Sequence, residues 1–504
     1  MYFYTQHVCE QNLYQSVLPE IFTLTDVPVV PLMNCSKSHS YNQLSSFPIE
    51  RDSLLIHFRR FFLKGLNHVQ LLVLGYLLIV ILIACLLMLP ISSAHHSTQT
   101  FLDALFMATS GISTTGLVVV DTGSYYSLFG QIVLMLDFQI GGIGYMSLYI
   151  LMAYLLKKGT SYKTKTVAKE SMAGAEIGTS RPFFRMVILY TLLFEIVGGI
   201  ILCLFWMKQY SIPRSIYLGL FHSISAFCTA GFCLFPDSLM PYKNSILVNM
   251  TISLVSLAGG IGFFVLIDLF QTGKYRLTRK VRFRLSLHSR LTLIVTTSLL
   301  VAGTLILLSA GKWDSSVKFP QRFMEASFQT ISASTTDGYN TVDIGALTPS
   351  CLVMLILLVF VGASPGSTGG GIKTTTLGVL LLSIRSQLRG QSDTNFFGRR
   401  IPQEIIGKAY SVFFLFVAVV IADLLLLCMT ERASFLQILF ETTSALGNTG
   451  LSMGITSQLS GVGKFALTVT MFIGRVGPLT IGLAMIGQLK QARFRYPEEN
   501  VFVG

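Results

Sequence analysis

A phenylalanine, a serine four residues later, glycine or alanine directly after it, and a glycine five further on recur four times in this chain. The copies are Phe106–Gly116, Phe221–Gly231, Phe328–Gly338 and Phe440–Gly450, with Ser110, Ser225, Ser332 and Ser444 at the serine position. Gly111, Ala226, Ala333 and Ala445 are the small residues that follow. Glycine admits backbone angles that a Cβ resists, so a loop ending in glycine can aim successive carbonyl oxygens at one point. A ring of such carbonyls replaces the hydration shell of a monovalent cation. The chemistry indicated is therefore ion coordination by Thr114, Thr115 and Gly116, by Thr229, Ala230 and Gly231, by Thr336, Asp337 and Gly338, and by Asn448, Thr449 and Gly450. A helix leading into each loop would turn its partly negative C-terminal end towards the same place. Hydroxyls at Ser113, Thr114, Thr115, Thr335, Thr336 and Thr449 add neutral oxygens. Hard oxygen ligands with few fixed charges suit K⁺ or Na⁺ better than Ca²⁺ or a transition metal. The competing account is that these glycines only let helices approach closely. One copy would leave the two accounts level, whereas four at the same place in the pattern favour carbonyl ligation.

The second chemically suggestive stretch is Gly362-Ala-Ser-Pro-Gly-Ser-Thr-Gly-Gly-Gly-Ile-Lys373, set in the middle of an apolar span. Pro365 and five glycines cannot hold an uninterrupted helix. A phosphate-binding loop would need a preceding strand. An unwound segment lining a pore fits better, and Gly362, Ser364, Pro365, Gly366, Ser367, Thr368, Gly369, Gly370, Gly371 and Lys373 are its candidate gate residues. Its distance of 24 residues beyond Gly338 is expected to place it well below the glycine loops. The eight cysteines are scattered without metal-ligand spacing and read as small apolar residues. Cys228 and Cys233 flank the second loop and are the pair a disulfide would use. No paired catalytic carboxylates and no HExxH motif are present, so the chain is not expected to be an enzyme or to hold a cofactor of its own.

Elements able to position four such loops follow from composition. The 504 residues are 52% hydrophobic and 12% charged, with a mean hydropathy of +0.64. Soluble domains carry about 25% charged residues. Leu71–Leu89, Val187–Trp206, Leu291–Leu308 and Ser411–Met429 approach or match the ~20 residues that a helix needs to cross a bilayer. Each precedes a segment too short to span, then the loop, then a return helix: near 128–156, 243–271, 349–384 and 461–489. Non-helical backbone at membrane depth survives only inside protein or beside water. The expected fold is an all-α polytopic membrane protein of four repeats, with eight spanning and four re-entrant helices in pseudo-fourfold array around one pore. Only the third return helix is expected to be broken.

The repeats are placed at 66–157, 183–272, 288–390 and 404–490, after a cytoplasmic extension over 1–65 and before a tail over 491–504. Residues 51–64 read as a basic amphipathic segment on the membrane surface. The net charge is +13, and its lysines and arginines gather between repeats and near the C-terminus. Counted by the positive-inside rule, all three linkers and both termini are cytoplasmic. Nucleic-acid binding is the rival account of basic runs, but their strict alternation with apolar spans favours topology.

In these loops the chain resembles the Trk/Ktr/HKT superfamily of potassium transporters, and within it the membrane subunits of the bacterial Ktr branch. The matching pieces include T-T-G-L-V-V-V-D-T-G at 114–123, C-T-A-G-F at 228–232, T-T-D-G-Y-N at 335–340 and G-N-T-G-L-S at 447–452. G-G-I-G-Y at 141–145, S-P-G-S-T-G-G-G-I-K-T-T-T at 364–376 and G-R-V-G-P at 474–478 also match, and the likeness covers about 66–489. It implies K⁺ uptake through a homodimer seated on a cytosolic nucleotide-binding RCK ring in the inner membrane. A Na⁺-selective or Na⁺/K⁺ symporting member is the alternative, and a non-conducting scaffold or receptor is the alternative of another class. Arg475 stands where Gly142 and Gly260 stand in the matching motifs. The resemblance implies that it projects into the pore; the other account pairs it structurally with Asp137, Glu195 or Asp423. Asp337 stands where the family pattern has alanine. Its carboxylate would either attract cations at the loops or pair behind them.

Overall fold

The computed structural model of the chain describes residues 68–144, 181–278, 285–313 and 316–486, together with Pro497 and Glu499. The chain divides into two units, Met1–Phe62 and Leu63–Gly504, and every described residue belongs to the second. The expected N-terminal extension, the surface segment at 51–64, most of the first basic linker and nearly all of the tail lie outside the described residues.

The described helices fall into four groups. The first is α1 (His68–Leu87), α2 (Phe101–Ile112) and α3 (Leu128–Ile143). The second is α4 (Arg181–Trp206), α5 (Ile212–Phe227), α6 (Ile246–Gly260) and α7 (Phe263–Thr278). The third is α8 (Leu287–Ala310), α9 (Phe319–Thr335), α10 (Pro349–Val361) and α11 (Thr374–Leu388). A two-residue antiparallel ladder, β1 (Asn395–Phe396) with β2 (Arg399–Arg400), joins it to the fourth: α12 (Gln403–Thr430), α13 (Phe435–Gly447), α14 (Gly461–Val476) and α15 (Pro478–Ile486). Among the described residues, Arg185–Trp206, Leu287–Ala310 and Gln403–Thr430 are long and apolar enough to cross a membrane. The pair Ile246–Gly260 and Phe263–Gly273, bent by 100°, makes a fourth if taken as one span. Leu189, Leu305 and Leu425 are exposed on the outer faces of these helices, as expected of a protein whose solvent there is lipid.

Local signals set the helix starts. Ser127, Ser245, Thr348 and Ser460 precede α3, α6, α10 and α14, and each side chain accepts from the backbone N–H three residues on. Such a cap is worth about 1 kcal/mol. The recurring Phe106, Phe221, Phe328 and Phe440 are all buried and anchor the short helices in the core. Each short helix packs on the long helix before it and the return helix after it. Each also meets the return helix of the preceding group: α3 packs on α5, α6 on α9, α10 on α13, and α14 comes back to α2. The packing order is a closed cycle.

The return helices differ from expectation. The third is broken between Val361 and Thr374, but the others also stop at a glycine of positive φ: Gly144 (82°), Gly262 (93°) and Gly477 (93°). These are the last glycines of the three matched G-x-x-G motifs. Left-handed backbone ends a helix at little cost only where there is no Cβ. The N–H freed at Phe263 donates to the Gly366 carbonyl (2.9 Å), so the second break is closed by the third group's loop.

Candidate functional site

All four short helices end in one way. The N–H of Thr114, Thr229, Thr336 and Asn448 donates to the carbonyl of Gly111, Ala226, Ala333 and Ala445, at 2.9 to 3.4 Å. The N–H of the following Thr115, Ala230, Asp337 and Thr449 donates to the carbonyl of Ser110, Ser225, Ser332 and Ser444, at 2.8 to 3.0 Å. This is a Schellman termination, which needs a left-handed residue at its turn. Thr114, Thr229, Thr336 and Asn448 supply it with φ of 53°, 50°, 59° and 52°. Asparagine tolerates that region, whereas three threonines occupy it at a steric cost. Three of the recurring serines also bridge their loops by side chain: Gly116 N–H donates to Ser110 Oγ, Ser225 Oγ donates to Phe232 O, and Ser332 Oγ to Tyr339 O. The sequence pattern had exposed these serines and small residues without revealing this role.

The four terminal glycines then form a ring. Gly116, Gly231, Gly338 and Gly450 all have positive φ, from 65° to 86°. A Cβ at Gly116 would strike the Ala230 carbonyl, one at Gly231 the Asp337 carbonyl, one at Gly338 the Thr449 carbonyl, and one at Gly450 the Thr115 carbonyl. Each glycine thus abuts the carbonyl of the next loop, and the fourth returns to the first. A side chain at any of the four positions would displace backbone oxygen. Thr449 Oγ1, Ser444 Oγ and Asn448 Oδ1 are buried beside the ring with no partner among the described residues. Neutral oxygens in this arrangement fit a monovalent cation as cargo. Among the described residues no cluster of His, Cys, Asp or Glu could hold a metal ion.

The ring is braced from behind. Asn448 Nδ2 donates to Thr115 Oγ1 and to Met471 O, both at 2.9 Å, tying the fourth loop to the first and to α14. Asp337 contributes its backbone carbonyl to the ring, while its Oδ2 accepts from Ser256 Oγ on α6 at 2.5 Å. Of the two roles left open for it, the geometry is that of a partner behind the loop. Glu441, buried in α13, accepts from Ser452 Oγ, from Met453 N–H (3.1 Å) and from Thr456 Oγ1 (3.0 Å), and so fixes the chain beyond the fourth loop. Ser256 and Glu441 were missed from sequence; the S-M-G-I-T run at 452–456 was the available signal for the second. Cys228 and Cys233 are both free thiols.

The segment between α10 and α11 lies directly against the four left-handed residues, not well below them. Thr114 Oγ1 donates to Thr368 O (3.2 Å), and Thr229 Oγ1 shares a hydrogen bond with Thr368 Oγ1 (3.2 Å). Gly370 N–H donates to Thr336 Oγ1 (3.2 Å), and a Cβ at Gly370 would meet Asn448. The intervening connection and the 13-residue length of α10 leave less descent than 24 helical residues would give. Backbone bonds hold the segment to α6: Ser364 N–H to Gly260 O (3.0 Å) and Thr368 N–H to Gly259 O (3.2 Å). Lys373 Nζ closes it on itself, donating to Gly369 O (2.6 Å) and Gly370 O (3.1 Å). Ser367 Oγ donates to Ser364 O, and Thr374 Oγ1 to Ser364 Oγ. Arg475, near the end of α14, donates from Nη1 to Thr368 O (2.5 Å) and from Nη2 to Gly141 O. None of Asp137, Glu195 or Asp423 forms an ion pair with it. Glu195 instead accepts from Gln139 Nε2 (2.8 Å).

Apolar helices whose outer faces suit lipid, enclosing a ring of peptide carbonyls, define a helical membrane transport protein and not an enzyme. A family model described as TrkH, cation transport protein, matches residues 63–495, and the chain belongs to that family. It is 37% identical over 442 residues to the Ktr system potassium uptake protein B of Bacillus subtilis, covering 86% of this chain and 96% of that protein. It is 32% identical over 450 residues to the potassium/sodium uptake protein NtpJ of Enterococcus hirae, covering 88% of this chain and 98% of that one. The crystal structure of the potassium transporter TrkH from Vibrio parahaemolyticus shares the fold, with a TM-score of 0.62 at 21% identity over 81% of this chain and 84% of that chain.

Proposed function

We propose that the chain carries K⁺ into the cell through a channel-like pathway, with the ring of four glycine loops as its selectivity filter. The closed ring of carbonyls around Gly116, Gly231, Gly338 and Gly450 carries the proposal. Oxygens held in place exchange for a cation's hydration shell without a net charge that would trap it. The potassium uptake proteins similar to this chain support K⁺ as the cargo. An inside-negative potential favours each entering charge by about 2.3 kcal/mol per 100 mV. In this reading each group is one repeat with two spans and a re-entrant short helix, eight spans in all, with linkers and both termini in the cytoplasm. The segment over 362–373 is the gate: it touches all four loops, and Arg475 latches it to α3. A homodimer and a cytosolic nucleotide-binding RCK ring complete the proposed assembly, with α11 as the mechanical route from ring to gate.

The test is growth of a K⁺-uptake-deficient bacterium on low K⁺ with this gene, paired with ⁸⁶Rb⁺ uptake into liposomes holding the purified chain. Uptake that Na⁺ does not compete with supports the proposal. Mutual competition would favour the Na⁺/K⁺ alternative, which the potassium/sodium uptake relative supports. Correctly folded protein with no ⁸⁶Rb⁺ uptake would leave the scaffold reading.

A further inference from the structure

Away from the ion pathway, the β1–β2 hairpin closes on the start of α8. The six residues Leu285, Ser286, Leu287, Arg290, Phe397 and Arg399 line a cleft of about 120 Å³ there. The turn that builds it is unusual. Phe397 and Gly398 both have positive φ, 49° and 72°, the geometry of a two-residue hairpin turn that asparagine-glycine normally fills. A bulky residue in that region is a real outlier, and such strain points to a role elsewhere. The Phe397 ring lies over the Arg290 guanidinium at 5.2 Å and is still 59% exposed. The hairpin itself is fixed: Arg400 pairs with Asp393 (2.9 Å), Ile401 N–H donates to Thr394 O (2.9 Å), and Ser386 Oγ donates to Asp393 O (3.1 Å).

Two cations are thereby held at one cleft with no acidic partner among the described residues. Neither Arg290 nor Arg399 has a hydrogen-bond or carboxylate partner among the described residues. The nearby carboxylate of Asp268 is committed to α8, accepting from Ser286 N–H (2.9 Å) and Ser289 Oγ (2.5 Å). The helices joined by the hairpin are apolar on their exposed faces, with Leu381, Ile384 and Leu388 on α11 and Ile405 on α12 exposed, Leu388 by 83%. Two guanidiniums lining one cleft, on helices whose outer faces are apolar, match one chemistry, the phosphodiester headgroup of a lipid.

We propose that this cleft binds the headgroup of an anionic phospholipid, with Arg290 and Arg399 as its donors and Phe397 seated at the glycerol level. It rests on the reading that places the 285–290 and 395–400 ends of the helices at the membrane surface, but not on ion conduction. The test is lipid retention by the full chain in detergent, read by native mass spectrometry. Phosphatidylglycerol is titrated against phosphatidylcholine of the same chains, with inorganic phosphate as competitor. Phosphatidylglycerol is expected to be retained selectively. Arg290→Ala should weaken it about fivefold and the double variant with Arg399→Ala about thirtyfold. Phe397→Asn relieves the turn, so it should fold at least as well yet hold the lipid more weakly; this keeps the test decisive if the double variant does not fold. Retention of phosphatidylglycerol at the wild-type level by the double variant or by Phe397→Asn would overturn the proposal. So would equal retention of phosphatidylcholine, displacement by millimolar phosphate, or variants that lose a cytosolic partner protein while keeping the lipid. Lipid retention is read without ion flux, so failure of K⁺ uptake and failure of this site are separate results.

Discussion

At Gly116 a single Cβ carries two penalties. It would press on the Ala230 carbonyl, and it would hold a side chain at φ 86°, where L-residues lose about 1–2 kcal/mol. Gly116→Ser should therefore shift the ring without abolishing the fold, and with its carbonyls displaced Na⁺ permeation should rise several-fold relative to K⁺. Reversal potentials in mixed ions check this, and an unchanged ratio would remove Gly116 from the selective ring. Arg475→Ala removes two charge-assisted hydrogen bonds, to Thr368 O and Gly141 O, each worth about 1.5–3 kcal/mol. It also removes a cation near the pathway, which at 4 Å and an effective dielectric of 20 opposes an ion by about 4 kcal/mol. Both effects have the same sign, so ⁸⁶Rb⁺ uptake without any cytosolic partner should rise at least tenfold. Folded variant protein with no gain in uptake would assign Arg475 a purely structural role. Sequence exposed both residues but not their partners. Arg475 stood out as a charge in an apolar run, while its ligands, carbonyls of Thr368 and Gly141, lie more than a hundred residues away and carry no side-chain signal.

Among the elements, the long helices were legible because twenty apolar residues leave little choice in lipid, and the short ones because their motif repeats. The breaks at Gly144, Gly262 and Gly477 were not. Glycines spaced three apart read equally well as a close-packing face, and a Cβ at Gly259 would meet the Phe227 carbonyl in that way. At Gly262 the stop has a tertiary partner: the 362–373 segment offers the acceptor for the freed Phe263 N–H. That segment is thus a shared cap for α6 and a floor for four loops. Deleting Ser367–Gly370 removes Thr368 and Gly370, and with them the contacts to Thr114, Thr229 and Thr336. High K⁺ flux that ignores nucleotide on the cytosolic partner is expected, with weaker K⁺ over Na⁺ discrimination because the loops lose their support. A folded deletion variant that stays fully nucleotide-gated would place the gate elsewhere.

For the whole molecule, the cyclic packing makes the first and fourth groups direct neighbours although they lie farthest apart in sequence. Asp103 on α2 and Lys464 on α14 pair at 2.6 Å across that junction, both largely buried. Two separately expressed pieces, 1–314 and 315–504, should therefore reassemble in one membrane and restore ⁸⁶Rb⁺ uptake, whereas either piece alone should give none. Uptake by a single piece would contradict the ring. The same closure bears on how the protein is made. A row of hairpins gains usefulness as each is added, but a ring has no partial version. Until the ribosome has delivered α14, the face of α2 that it covers has no owner, and oxygens meant for an ion have nothing opposite them. A chain cut short is thus silent as well as incomplete, and presents an unburied seam that membrane proteases can recognise. Ring closure, in effect, makes arrival of the last quarter a condition for having any ring at all.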